Sequence, residues 1–122
     1  MKITGAESLI MEVLWAADRP LAAEEVKTAL ADEGWNEATV RTFLTRLSKK
    51  KAVSQTKDGR RFLYRPLIKR ADYVHAESKG LVDRLFGGQL GPFFAHFAER
   101  EDLSDEELAE IKRLVEELSN GR

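Results

Sequence analysis

The sequence predicts a mainly α fold: a winged helix-turn-helix head of three helices plus a β-hairpin wing, followed by a helical dimerisation region. Three observations predict it. Apolar residues recur at helical spacing through most of the 122 residues. A tight-turn dipeptide, Asp58-Gly59, separates two short β-patterned runs. Composition then changes after Pro66, where a basic stretch gives way to one rich in aromatics and finally in acids.

Thr4 and Glu7 have the T-x-x-E spacing of a capping box, in which the hydroxyl accepts from a free helical N–H and the glutamate reaches back to the capping residue. Leu9, Ile10, Val13 and Leu14 then keep a helical period with Met11 and Trp15, predicting a first helix over 5–17. Asp18-Arg19-Pro20 breaks it. Leu21, Val26, Thr28, Ala29 and Leu30 mark a second helix ended by Gly34, a residue suited to a left-handed cap. Asn36 is a good N-cap for a third helix, and Trp35 before it is placed to staple onto Val40. That helix gathers Val40, Phe43, Leu44 and Leu47 on one face. The hairpin follows, Val53 to Lys57 and Arg61 to Arg65, with Phe62 and Tyr64 on one face of its second strand.

Pro66 stops the strand and sets the expected domain boundary: residues 1–68 form the winged-helix head and 69–122 the helical dimerisation region. Lys69 to Phe86 reads as a helix, Gly87-Gly88 and Gly91-Pro92 interrupt the pattern, and Phe93, Phe94 and Phe97 follow. Ser104 and Glu107 make a second capping box, with Leu103 and Leu108 able to staple across it. Leu108, Ile111, Leu114, Val115 and Leu118 stripe the last helix. So small a tail buries its apolar residues most cheaply against a second copy, so Tyr73, Leu81, Leu85, Phe93, Phe94 and Phe97 join that stripe as the expected dimerisation side chains. Packing is the better account of the aromatics than an effector pocket.

Functional signal concentrates between Asn36 and Arg65. Turning at about 100° per residue from its apolar stripe, the third helix presents Ala38, Thr42, Thr45 and Lys49 outward, flanked by Arg41 and Arg46. The window holds Arg41, Arg46, Lys49, Lys50, Lys51, Lys57, Arg60, Arg61 and Arg65 against Glu37 and Asp58 alone, although the whole chain has a net charge of -1. A solvated face mixes both signs. A one-sign cluster beside a hairpin favours a polyanion, here double-stranded DNA. The segment from Glu99 onward is net acidic and is expected to stay off DNA.

Composition narrows the remaining classes. A chain of this length with 43% hydrophobic and 34% charged residues is an ordinary globular protein of one domain, or a small domain with an appendage. No apolar run approaches the length of a membrane span, and the start of the chain has no signal-peptide core, so a cytoplasmic location with no membrane partner is expected. With no cysteine, thiolate metal sites and thiol chemistry are excluded; His75 and His96 lie too far apart for a helical metal pair. No cofactor, metal or catalytic group is expected, because neither a histidine-carboxylate constellation nor a phosphate-cradling glycine loop is present. The competing reading is a winged-helix protein-interaction module without sequence-specific DNA binding. The basic, polar face of the third helix speaks against it, since a protein groove offers apolar anchors.

The run Thr39-Val40-Arg41-Thr42-Phe43-Leu44-Thr45-Arg46-Leu47, the wing, and the segment Phe97-Ala98-Glu99-Arg100-Glu101-Asp102-Leu103-Ser104 together resemble the penicillinase repressor family, of the BlaI/MecI/CopY type. The resemblance runs from about Ile3 to Leu118. It implies a winged-helix repressor that dimerises through its carboxy-terminal helices and binds inverted repeats with TACA/TGTA half-sites. It also implies release by a sensor-linked protease in one branch, where the matching bond is His96-Phe97; the phenylalanine of the family's Asn-Phe pair is kept and the asparagine is not. Copper release through a cysteine-rich tail, known in another branch, is excluded by the lack of cysteine. Where the family has a glycine closing the recognition helix, this chain has Lys51.

Against such half-sites, Thr42, Thr45 and Arg46 are the expected base-facing residues: a threonine methyl meets a thymine methyl, and arginine takes guanine O6 and N7 together. Arg41, Lys49 and Lys50 are expected on phosphates, although lysines at a helix end also suit its dipole. The wing tip, Lys57, Arg60 and Arg61, is expected along the backbone or in the adjacent minor groove. Thr39, in the first turn of the helix, either reaches a phosphate or helps cap the helix.

Overall fold

In the computed structural model, which describes Lys2 to Gly121, the first capping box forms as its spacing requires. The Glu7 N–H donates to Thr4 Oγ1 at 3.2 Å and the Thr4 N–H donates to Glu7 Oε1 at 2.9 Å, opening helix α1 (Gly5–Ala17). A two-residue strand, β1 (Leu21–Ala22), comes next, followed by α2 (Ala23–Ala29) and a 3-10 turn at Ala31–Glu33. The sequence pattern placed Leu21 in the second helix; it is instead paired antiparallel with the wing, Leu21 opposite Tyr64 and Ala22 opposite Leu63. Both residues are buried, and two buried apolar residues carry no period by which a strand could be told from a helix start. Glu25 reaches back to the Ala22 N–H at 3.0 Å, supplying half of a capping box where the N-cap has no side-chain acceptor.

Gly34 closes the 3-10 turn at φ 72°, and Asn36 caps α3 (Glu37–Lys49) by accepting the Thr39 N–H at 2.8 Å. Trp35 meets Phe43, with ring centroids 5.0 Å apart, and packs against the core cluster that holds Val40. The hairpin is β2 (Val53–Asp58) and β3 (Arg61–Pro66), in register from Val53 opposite Pro66 to Asp58 opposite Arg61. The sheet order is β1-β3-β2. Ile10, Met11 and Leu14 of α1, Val26 of α2, and Val40, Leu44 and Leu47 of α3 close over Val53 and Tyr64 to form one core. Helix α3 is thus fixed by its apolar face, which leaves the opposite face free.

The remaining helices are α4 (Arg70–Phe86), α5 (Leu90–Glu99) and α6 (Asp105–Asn120). Gly91-Pro92 does not interrupt α5: Pro92 falls in its first turn, where a helix leaves N–H groups without intrahelical partners and a missing one loses nothing. Two compact units result, Met1–Val74 and His75–Arg122, so the first turn of α4 goes with the first unit. Its attachments explain why. The Trp15 indole N–H donates to the Ile68 carbonyl at 3.0 Å, Tyr73 packs on Trp15 at 5.5 Å, and Arg70 holds Glu12 at 3.0 Å. Tyr73, grouped with the dimerisation side chains by sequence, is therefore a packing residue of the first unit.

Within the second unit, Phe86, Phe93 and Phe97 stack edge to face at 5.4 and 5.3 Å. Ser104 caps α6 as its spacing requires, accepting the Glu107 N–H at 3.1 Å. Among the described residues there, Val82 is the buried hydrophobic one, while Leu85, Val115 and Leu118 are 63%, 55% and 66% exposed.

Candidate nucleic-acid interface

Because Val40, Leu44 and Leu47 are sunk in the core, Ala38, Thr42, Thr45, Arg46 and Lys49 project from α3 into solvent. Thr42 donates its hydroxyl to the Ala38 carbonyl at 3.0 Å, so its methyl and its oxygen lone pairs are what it offers to a partner. Thr39 gives its backbone N–H to the Asn36 cap, which leaves the hydroxyl as the group available to a phosphate. Arg46, Lys49, Lys57 and Arg60 are exposed, and none has an ion-pair partner among the described residues.

Three other cations of the window, Arg41, Lys50 and Arg61, are engaged. Arg41 pairs with Glu37 at 2.7 Å, and Arg61 with Glu24 at 3.2 Å and Asp58 at 3.6 Å. Lys50 departs from its expected phosphate role: its ammonium is hydrogen-bonded to Oε1 of Glu7, whose side chain is 1% exposed. Glu7 thus closes the α1 capping box and anchors the end of α3, although it lies far from the basic window in sequence. Burial pushes its carboxyl upward, but the Lys50 ammonium and the Thr4 N–H outweigh that and hold it below the usual carboxylate value. Its second oxygen, Oε2, is buried with no hydrogen-bond partner. Two acids from outside the window, Glu7 and Glu24, therefore lower the positive charge that a count along the sequence assigns to this surface.

The end of α3 has a Schellman geometry. The Ala52 N–H donates to the Leu47 carbonyl at 2.9 Å and the Lys51 N–H to the Ser48 carbonyl at 3.0 Å. Lys51 stands at φ 64°, so the left-handed conformation usually given to glycine is adopted here by a residue with a Cβ. This places Lys49, Lys50 and Lys51 on the last turn and its cap, with Ala52 buried beneath them.

Between the start of α3 and β3 lies an open concavity of about 380 Å³, bordered by Glu24, Glu37, Arg41, Arg61, Phe62 and Tyr64. Phe62 and Tyr64 share a strand face but differ in exposure, 42% against 4%. Burial raises the Tyr64 hydroxyl pKa, an effect the nearby Arg41 partly opposes. The exposed Phe62 ring was placed on its strand face by the sequence pattern but given no role; its period-2 spacing with a buried tyrosine reads as core.

A family model described as penicillinase repressor matches residues 3–117. The chain is similar to the penicillinase repressor of Bacillus licheniformis, 34% identical over 121 residues that cover 99% of this chain and 94% of that one. It is 28% identical to the methicillin resistance regulatory protein MecI of Staphylococcus aureus strain N315, over 93% of each chain. The solution structure of the monomeric form of Bacillus licheniformis BlaI in complex with the blaP half-operator superposes with a TM-score of 0.50 at 36% identity, covering 60% of this chain and 89% of that one. Among the described residues no helix is long and apolar enough to cross a membrane.

Proposed function

We propose that this chain, which belongs to the penicillinase repressor family, is a dimeric transcriptional repressor that binds an inverted-repeat operator in double-stranded DNA. The observation that carries the reading is the outward face of α3, where Thr42, Thr45 and Arg46 lie exposed on a helix locked by its opposite face into the core. A recognition helix must be held in this way, because base edges are read only when the register of the helix is fixed. Thr42, Thr45 and Arg46 take the base edges; Thr39, Arg41, Lys49, Lys57, Arg60 and Arg61 take phosphates. Lys50 is left to hold Glu7.

A second copy of the chain covers the apolar residues of the second unit. Exposed Leu81, Leu85, Phe94, Phe97, Leu108, Leu114, Val115 and Leu118, with half-buried Phe93 and Ile111, support this, since a monomer rarely leaves so much apolar surface open. Pairing two heads raises the effective concentration of the second once the first has bound, which favours an operator with two half-sites. Cleavage at His96-Phe97 is the proposed route of release. That bond lies inside α5, with the two rings stacked at 5.2 Å, so α5 must open locally before a protease can cut. Intact chain by mass spectrometry, after induction that has lifted repression, would remove this part of the reading.

Fluorescence anisotropy of the full chain on an inverted-repeat TACA/TGTA duplex and on a scrambled one, at two salt concentrations, tests the whole. Selective, salt-sensitive binding is expected. With about four phosphates neutralised per protomer, the log-log salt slope for the dimer is near −7. Absence of binding to either duplex would favour a protein-interaction module instead.

A further inference from the structure

The concavity beside α3 joins three features that nothing in the basic helix face explains. Phe62 exposes an aromatic ring, at 42%, among the charged side chains of Glu24, Glu37, Arg41 and Arg61. Arg41 approaches the same concavity from α3, and Arg60 and Arg61 border it from the wing, Arg41 and Arg61 being the two that hold carboxylates there. Arg41 is already paired with Glu37 and Arg61 with Glu24, and those two carboxylates border the same space.

We propose that this concavity is a seat for one deoxyribose-phosphate unit of a DNA strand, in which Phe62 covers the sugar and Arg41 and Arg61 take the phosphate. The proposal rests on the DNA-binding reading above and deepens it. A DNA strand repeats one apolar surface, the sugar, beside one anion, the phosphate. The concavity repeats the complement, a ring beside guanidiniums. In the free protein Glu37 and Glu24 stand where the phosphate oxygens go. Both pairs are exposed, with side-chain exposures of 61% and 38% for Arg41 and Glu37 and of 52% and 64% for Arg61 and Glu24. Pairs that exposed are weak and exchange readily. The arginines are held pointing at the seat until a strand replaces the carboxylates. Each exchange frees a carboxylate as it neutralises a phosphate, so the net counterion release is smaller than the number of arginines alone gives.

The test uses the full chain on two duplexes, one inverted-repeat and one scrambled, each over a salt series. Phe62→Ala is expected to weaken binding to both by about tenfold per head while leaving the salt slope unchanged, because covering a sugar displaces no counterion. The double variant Glu24→Gln with Glu37→Gln is expected to steepen the slope, by up to about 0.9 for each carboxylate removed in each head. Phe62→Leu, which keeps an apolar contact, should lie between parent and alanine, and gives the same reading should the alanine variant fold poorly. Parental affinity in both Phe62 variants would overturn the seat, as would a loss confined to the inverted repeat, which would make Phe62 a base contact. An unchanged or shallower slope in the glutamine variant would also overturn it. Binding of no duplex by the parent chain would remove both the seat and the DNA-binding reading beneath it.

Discussion

Replacing Lys50 with methionine isolates the Glu7–Lys50 pair, because methionine keeps the aliphatic stem and removes the ammonium. Truncating one partner of a buried pair typically costs about 3–5 kcal/mol, since the other charge is left desolvated. Here the lysine end is 30% exposed while the glutamate is 1% exposed, so water softens one side only. Glu7 also keeps the Thr4 N–H, and about 2–3 kcal/mol is the expected loss at pH 7. The pH dependence sharpens the test. In the parent, the Glu7 pKa is depressed from its ordinary 4.5, so the pair's contribution is present above about that pH and is lost as pH falls through the folded value. In Lys50→Met, burial acts with less opposition and moves the carboxyl upward. The penalty of the substitution should therefore shrink on acidification from pH 7 to below about 4.5. Urea unfolding at fixed protomer concentration, at pH 7 and pH 4, measures both quantities. A loss below about 0.5 kcal/mol at pH 7, or an equal loss at both pH values, would refute the reasoning. The salt slope of DNA binding should not change in this variant, because Lys50 is committed to Glu7.

Lys51→Gly should stabilise the chain by about 1 kcal/mol in urea unfolding, because relief of the left-handed strain at φ 64° exceeds the greater freedom that glycine gives the unfolded chain. Lys49→Ala should weaken binding to all duplexes alike and make the salt slope shallower by about 1 per head, the mark of a phosphate contact. Leu118→Asp, at a site 66% exposed, should leave the first unit folded and shift the chain from dimer to monomer in sedimentation velocity; an unchanged dimer would place the interface elsewhere.

Local features of this fold were legible along the chain and cross-chain ones were not. Both capping boxes, Thr4 with Glu7 and Ser104 with Glu107, are set by residues three apart, and the outward face of α3 follows from its period. Strand β1 escaped notice because Leu21 and Ala22 owe their extended form to pairing with β3, more than forty residues later. The same holds at the candidate interface. Which residues face outward could be read, but which cations are free could not, because Glu7 and Glu24 reach them from other helices. Tyr73 was grouped with the tail for a similar reason: its partner, Trp15, lies on α1.

The central claim, that the outward face of α3 reads base edges, is tested most directly by one affinity profile. Parent and Arg46→Ala chains are titrated against a set of operator duplexes in which each half-site position is substituted in turn. The account predicts that the parent loses about 1–3 kcal/mol at one guanine-bearing position per half-site and that Arg46→Ala becomes indifferent to the base there, with its other preferences intact. An Arg46→Ala profile that parallels the parent at every position would contradict it.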